Sequence, residues 1–258
     1  MRVVLSMLMT GALAAPLATT MACEAPAEGE GEGEGEGEPT PKCTEPRAVE
    51  CEDEVFTDLT MNLDTAAPGE VTSSTDGDGF VAVVDGTAGG FGGDGGWVYA
   101  KFTATGLEKV TLLDADSFTS MEWDVAFRRF VIRLNSGYGG PSCVTGARTA
   151  TGTVYEDLAA LPDGLSFSDE QFMSDPESCE LVPDGSGLGS AGVVLQNYWE
   201  YPGCVAMTGN VYVLSLADGR HVKFDVTDYY ASGQETCDES GTPGTTSAMF
   251  TVRHGYLE

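Results

Sequence analysis

One stretch constrains the fold of this chain more than any other. Its apolar residues alternate with a period of two as Trp123, Val125 and Phe127, then change phase to Phe130, Ile132 and Leu134. A period of two places alternate side chains on one face of a strand, and a phase change turns that face outward unless an inserted residue is absorbed. The pattern predicts a single bulged strand with its bulge near Arg128 and Arg129. Asp124 and Arg128 fall on one face before the break, which suggests a pair between them, of the structural and usually weak kind.

Similar strand signals recur between glycine-rich turns at Phe80 to Val84, Trp97 to Thr103, Lys109 to Leu113, Val211 to Leu216, His221 to Val226 and Met249 to Tyr256. Ala217-Asp218-Gly219-Arg220 separates two of them, and its Asp-Gly centre predicts a hairpin. Only Glu156 to Leu161 and Asp169 to Met173 resemble helical turns, both too short for a helical layer. The expectation is an all-β, predominantly antiparallel single domain with a bulged signature strand and a few short helical turns. It spans residues 70–258, long enough for one core, after a cysteine-bearing lead-in over 39–69.

The first residues point to export. Arg2, the apolar stretch Val3 to Leu17 and small Ala22 before Cys23 read as a lipoprotein signal over 1–22, with lipidation at Cys23. Thr20 stands where such signals usually carry leucine, so cleavage by an ordinary signal peptidase is the alternative. Residues 23–38 are then a tether, because the Glu-Gly alternation from Glu28 to Glu38 offers nothing to bury and its like charges repel, which predicts disorder. Seven cysteines minus a lipidated Cys23 leave six, an even number in an oxidising compartment. Three disulfides are expected, with Cys43–Cys51 the most local pairing and Cys143, Cys179, Cys204 and Cys237 left to pair among themselves. A zinc site is the alternative, but no C-x-x-C spacing occurs.

Charge excludes one class of partner. The formal charge of −29 becomes −30 without Arg2, and the seven glutamates of Glu24 to Glu38 account for only part of it, leaving −23 on Pro39 to Glu258. Such a domain lacks the basic surface that nucleic acid requires. Beyond the signal no apolar run is long enough to span a bilayer, so membrane attachment rests on the lipid anchor.

Chemistry-bearing motifs are sparse. Two histidines limit acid–base and triad chemistry, and neither sits in a motif that supplies a serine or cysteine nucleophile. His221 shares a strand face with Lys223 and Asp225 and reads as solvent-facing, whereas His254 lies on the apolar face of Phe250, Val252 and Tyr256. Gly187-Leu188-Gly189-Ser190-Ala191-Gly192 matches a dinucleotide fingerprint in letters only, because Pro183-Asp184-Gly185 precedes it and no βαβ unit surrounds it. No nucleotide site is expected. Asp76-Gly77-Asp78-Gly79, Asp85 and Gly89 to Asp94 resemble fragments of calcium loops, but Thr87 occupies the twelfth position, where a bidentate glutamate is needed. These glycines read better as turns.

Four ordered segments, Trp97-Val98-Tyr99, Trp123 to Arg129, Val222 to Tyr230 and Phe250 to Leu257, resemble the HmuY family of haem-binding bacterial lipoproteins over roughly Phe80 to Glu258. The resemblance implies an all-β lipoprotein on the outer membrane or cell surface, secreted or periplasmic in the alternative. It implies noncovalent capture of haem, free or from a haem-carrying protein, for iron acquisition, with delivery to an outer-membrane transporter, and so binding without catalysis. The best-known member uses two axial histidines from the middle of the domain, but Gly140 to Gly209 contains none here. Some relatives use methionine, which makes Met173 and Met207 the axial candidates, with His254 in reserve; each could equally be a core filler. Tyr198, Trp199 and Tyr201 either flank a flat ligand or pack. Arg128, Arg129, Arg133 and Arg148 are the candidates for the haem propionates, or else neutralise neighbouring carboxylates. The competing functional reading is a structural or protein-interaction lipoprotein that keeps the fold without haem. An exported hydrolase using His221 or His254 is a third, testable on generic esters.

Overall fold

Period-two segments become strands wherever one face can be buried, and the computed structural model describes them over residues 42–88 and 95–258. In chain order these are β1 (Val71–Asp76), β2 (Gly79–Asp85), β3 (Val98–Thr103), β4 (Gly106–Val110), β5 (Val125–Arg128) and β6 (Val131–Leu134). β7 (Thr145–Arg148), β8 (Trp199–Glu200), β9 (Ala206–Met207), β10 (Tyr212–Ser215), β11 (His221–Tyr230) and β12 (Ser247–Leu257) follow. Six form one antiparallel sheet in the order β1-β2-β12-β11-β10-β7, four form a second in the order β4-β3-β5-β6, and β8 pairs with β9. The all-β antiparallel expectation is met. The Asp-Gly hairpin joins β10 to β11, with Gly219 at φ 89°, and Gly77-Asp78 forms the tight turn between β1 and β2.

The two sheets share a core. Ala82, Val84, Phe224, Phe250 and Val252 of the larger sheet meet Val98, Phe102, Val125, Phe127, Ile132 and Leu134 of the smaller one. The smaller sheet is covered on its other face too, where Trp97, Tyr99, Trp123 and Ala126 pack with Val55, Leu59, Phe118, Phe172 and Met173. Burial of aromatic groups on this scale is the main favourable contribution to folding. The second cluster also takes in the lead-in: α1 (Glu52–Asp58) inserts Val55, and its acidic first turn of Glu52, Asp53 and Glu54 suits a helix N-terminus. A second short helix, α2 (Glu235–Ser240), buries Cys237.

Three details differ from the sequence expectations. Trp123 to Leu134 is not one bulged strand: Arg128 pairs with Val131, so Arg129 and Phe130 form a two-residue turn between β5 and β6. A turn satisfies the same phase change, because reversing the chain restores the inward face on a new strand. The register irregularities lie instead between β11 and β12, around Val226 to Tyr230. Secondly, the disulfides are Cys43–Cys143, Cys51–Cys179 and Cys204–Cys237. The local Cys43–Cys51 pairing gives way because the lead-in is tied along the domain, Lys42 N–H to Ala217 O and Arg47 N–H to Pro141 O, which brings Cys43 to Cys143 and leaves Cys51, at the start of α1, to Cys179. Thirdly, Asp169 to Met173 is extended, with Met173 bridging Leu181, while Glu156 and Asp157 do lie in a single 3-10 turn, Tyr155–Asp157. Cys23, the Glu-Gly tether and the glycines from Gly89 to Asp94 lie outside the described residues.

Candidate ligand-binding site

The turn between β5 and β6 carries the first two candidate arginines. Arg129 occupies the left-handed region at φ 53°, a conformation that costs a non-glycine residue about 1–2 kcal/mol. Strained non-glycine residues of this kind gather at functional positions. The turn is pinned by Arg129 N–H donating to Gly86 O at 2.8 Å, and the Arg129 guanidinium lies over the Phe130 ring at 5.2 Å. Beside it runs a cleft of about 70 Å³, walled by Leu59, Trp97, Phe130, Leu188 and Ala191 and bordered by Arg128 and Arg129. The far wall is the glycine loop of Gly187 to Gly192, in which Gly187 and Gly189 stand at φ 81° and 73°. Arg128 is largely buried, and its pKa is lowered by desolvation and then by Arg129, against the opposing pull of Asp114. Asp124 turns to the Phe102 N–H at 2.9 Å, and burial raises its pKa to about 6. The charges acting on it are Lys101, Asp218 and Arg220, so the pairing expected with Arg128 is replaced.

Arg133 is elsewhere and does something different. Its side chain is completely enclosed, with the guanidinium 4.8 Å from the rings of Trp97 and Trp123, 5.4 Å from Tyr99 and 5.8 Å from Phe118. It donates to Gly139 O, to Tyr99 Oη at 2.8 Å and to Ser117 Oγ at 3.3 Å. Tyr99 in turn donates to Asp114 Oδ1 at 2.8 Å, and Asp114 also accepts the backbone N–H groups of Trp97 and Asn62. This caged cation ties β3, β6 and the 3-10 turn Ala115–Phe118 together, and it removes Arg133 from the cations available to a ligand carboxylate. Desolvation lifts the Tyr99 phenol well above its ordinary range.

Glu170 is the polar group that sequence reasoning missed. It is fully buried, and its two oxygens accept the N–H groups of Leu134 at 2.8 Å and Val194 at 2.9 Å. It thereby fastens β6 to the segment that follows the glycine loop. Desolvation pushes its pKa up to about 7, although the two backbone bonds and Arg133 pull the other way. Nothing local in the sequence announces it, since its partners lie 36 and 24 residues away.

The axial candidates are dispersed. Met173 is buried in the second cluster, which also contains Leu59, Trp97 and Ala191 of the cleft wall. Met207 is half-buried against the main core, opposite Trp199, with its N–H on Asp238 at 3.0 Å. Tyr198 and Trp199 are buried in that core and Tyr201 is exposed. His254 is enclosed, stacked on Phe80 at 5.2 Å and edge-on to Phe102 at 5.1 Å. Among the described residues neither of its ring nitrogens has a partner, and burial lowers its pKa to about 4, so the ring is neutral near pH 7. His221 is partly covered and packs on Phe167. Ser215 stands cross-strand from it, but its hydroxyl is buried and bonded to Lys42 Nζ. Arg148 is at the end of β7, away from the other arginines, beside a cleft of about 440 Å³.

Two antiparallel sheets around one core, with a covering layer tied on by disulfides, place the chain among disulfide-linked all-β proteins. The family model described as HmuY protein matches residues 94–240, and the chain belongs to the HmuY family. It is similar in structure to a candidate HmuY-like haem-binding protein from Bacteroides vulgatus, at 17% identity and a TM-score of 0.44, covering 76% of this chain and 99% of that one. It is also similar to the apo HmuY analog of Tannerella forsythia, at 15% identity and a TM-score of 0.43, covering 76% of this chain and 100% of that one. A third is a candidate lipoprotein of Bacteroides fragilis, at 15% identity and a TM-score of 0.39, covering 76% and 98%. No curated protein matches the chain.

Proposed function

We propose that this chain is a cell-envelope lipoprotein, anchored through Cys23 to the outer membrane, that binds haem or a related tetrapyrrole noncovalently and passes it to an outer-membrane transporter. Family membership supports the class of ligand, and one observation carries the site: two adjacent arginines, one strained, border a mixed cleft with Trp97, Phe130 and Leu188 in its wall and Asp58 at its rim, in an otherwise acidic chain. A flat apolar ring with two carboxylates matches that combination, with the ring against Trp97, Phe130 and Leu188 and a carboxylate toward Arg128 or Arg129. The cleft is smaller than the ~300–1,000 Å³ usual for ligand pockets, so the reading requires the glycine loop to swing out. Met173 lies in the cluster behind that wall and is the better placed thioether; Met207 and His254 belong to other parts of the core.

Haemin titration of the disulfide-intact chain, followed at the Soret band in both redox states, tests this. The expected result is saturable one-to-one binding, weakened by Arg129→Glu and spectrally altered by Met173→Ala. Absence of binding in both redox states overturns it. The second reading, a structural or interaction lipoprotein, is favoured by the enclosure of Met173 and His254, and that outcome would shift the balance to it.

A further inference from the structure

Arg148 ends β7, the outer strand of the larger sheet. Backbone groups in a strand alternate in direction, and the bonds around Arg148 fix which way it faces. Gly146 exchanges both its N–H and C=O with Ser168, outside the sheet, whereas Thr149 N–H turns inward to Val211 O. Arg148 has the parity of Gly146, so its N–H and C=O point outward. The segment that covers Gly146 continues back to Ser166, which has the parity of Ser168, yet no backbone bond joins Ser166 to Arg148. The two stretches part there, and the cleft of about 440 Å³ opens between Arg148, Thr149 and Ala150 on one side and Pro162, Leu165 and Ser166 on the other. Among the described residues the Arg148 guanidinium takes part in no ion pair or hydrogen bond.

An exposed strand edge is a template for another strand, and folds ordinarily cover it. Here the cover is applied to Gly146 and withdrawn one step further along. We propose that this gap is a docking slot for an extended peptide segment of a partner protein, which adds to the edge at Arg148 and places one carboxylate side chain on its guanidinium. Main-chain bonds would supply affinity and the carboxylate would supply selectivity, as in other cases of strand addition. Asp163, on the far wall, and the net charge of −23 on Pro39 to Glu258 select against a run of acids, so the segment carries a single carboxylate among neutral residues. The slot is separate from the arginine turn and independent of haem.

The test is an amide-resolved NMR titration of the isotope-labelled chain with acetyl-Thr-Val-Glu-Val-Thr-amide, its Gln-for-Glu analogue and a backbone N-methylated version. The expected result is saturable shifts at Arg148, Thr149 and Ser166. The Glu peptide should bind about tenfold more tightly than the Gln peptide, as one charge-assisted bond predicts. Arg148→Gln should erase that difference with an unchanged melting temperature, and N-methylation should weaken both peptides. No shift with any peptide, equal affinity for the Glu and Gln peptides, or a preference that survives Arg148→Gln would each overturn the proposal. So would shifts at the same amides produced by raising the protein concentration alone, which would mean that a second copy occupies the slot.

Discussion

Replacing Arg133 separates a structural cation from a ligand-binding one. In Arg133→Met the cage keeps most of its volume but loses the donors to Gly139 O, Tyr99 Oη and Ser117 Oγ. Hydrogen bonds to a charged group contribute roughly 1.5–3 kcal/mol each, and a desolvated cation over aromatic faces contributes about 2 kcal/mol. Part of this is returned, because the guanidinium no longer has to be desolvated and its Nε has no partner among the described residues. Against that return, the Gly139 carbonyl is left without its donor in a buried setting, and Asp114 loses the cation nearest its Tyr99 bond. The net loss is about 3–5 kcal/mol, the usual cost of removing one partner from a buried charged network. For a chain of this size that lowers the melting temperature by ~6–20 °C. Arg133→Lys retains charge but not the planar fork and should lose about half as much. Urea unfolding and calorimetry of the three proteins measure both quantities. If the methionine variant unfolds within about 1 kcal/mol of the parent, the network is not organised around Arg133. If stability is unchanged but haemin binding falls, Arg133 is a ligand contact after all.

Four further outcomes are expected. His254→Phe should flatten acid sensitivity: the folded pKa of about 4 lies below the unfolded value near 6.5, so the parent loses stability as pH falls through that window, and urea midpoints at pH 4.5 and 7 would show it. Glu170 works in the opposite sense, since its folded pKa of about 7 lies above the unfolded one and its contribution is lost as pH rises toward 7 and beyond; the difference in unfolding free energy between parent and Glu170→Gln should therefore change with pH between about 4.3 and 7. Arg129→Gly should relieve the left-handed backbone and raise stability by about 1 kcal/mol in thermal unfolding, while weakening haemin binding if the cleft is the site. Metabolic labelling with palmitate should mark the parent and disappear in Cys23→Ala.

Much of the fold was legible because its signals are local. Alternation placed the main strands, and Asp218-Gly219 placed a hairpin, each readable within a few residues. The turn at Arg129-Phe130 was not, because its left-handed position holds arginine where glycine would have announced it. Arg133 misled for another reason. It alternates with Ile132 and Leu134, a position that faces water in an antiparallel sheet covered on one side, and so it reads as a cation open to a ligand propionate or a neighbouring carboxylate. This sheet is covered on both faces, and much of the second cover, the lead-in helix, the Phe172–Met173 segment and Ala191 with Val193, comes from far away in sequence. The same distance hid Glu170. The family signature was legible in Trp97 and Trp123, whose rings turn out to cage a cation, so the motif marks the framework more than the ligand.

The two disulfides of the lead-in bear on how the chain becomes oxidised. Cys43–Cys143 and Cys51–Cys179 join residues 100 and 128 positions apart, so in a chain exported as proposed above neither can close until Cys143 and Cys179 have followed the lead-in across. Meanwhile Cys43 and Cys51 emerge as near neighbours, and closing so short a loop is cheaper than closing the native ones by roughly 2 kcal/mol. Loop entropy therefore favours the non-native Cys43–Cys51 bond first, and from it the native pairing is reached through thiol–disulfide exchange. For a chain exported as proposed, disulfide isomerase activity in the receiving compartment would then raise the yield of the native pairing.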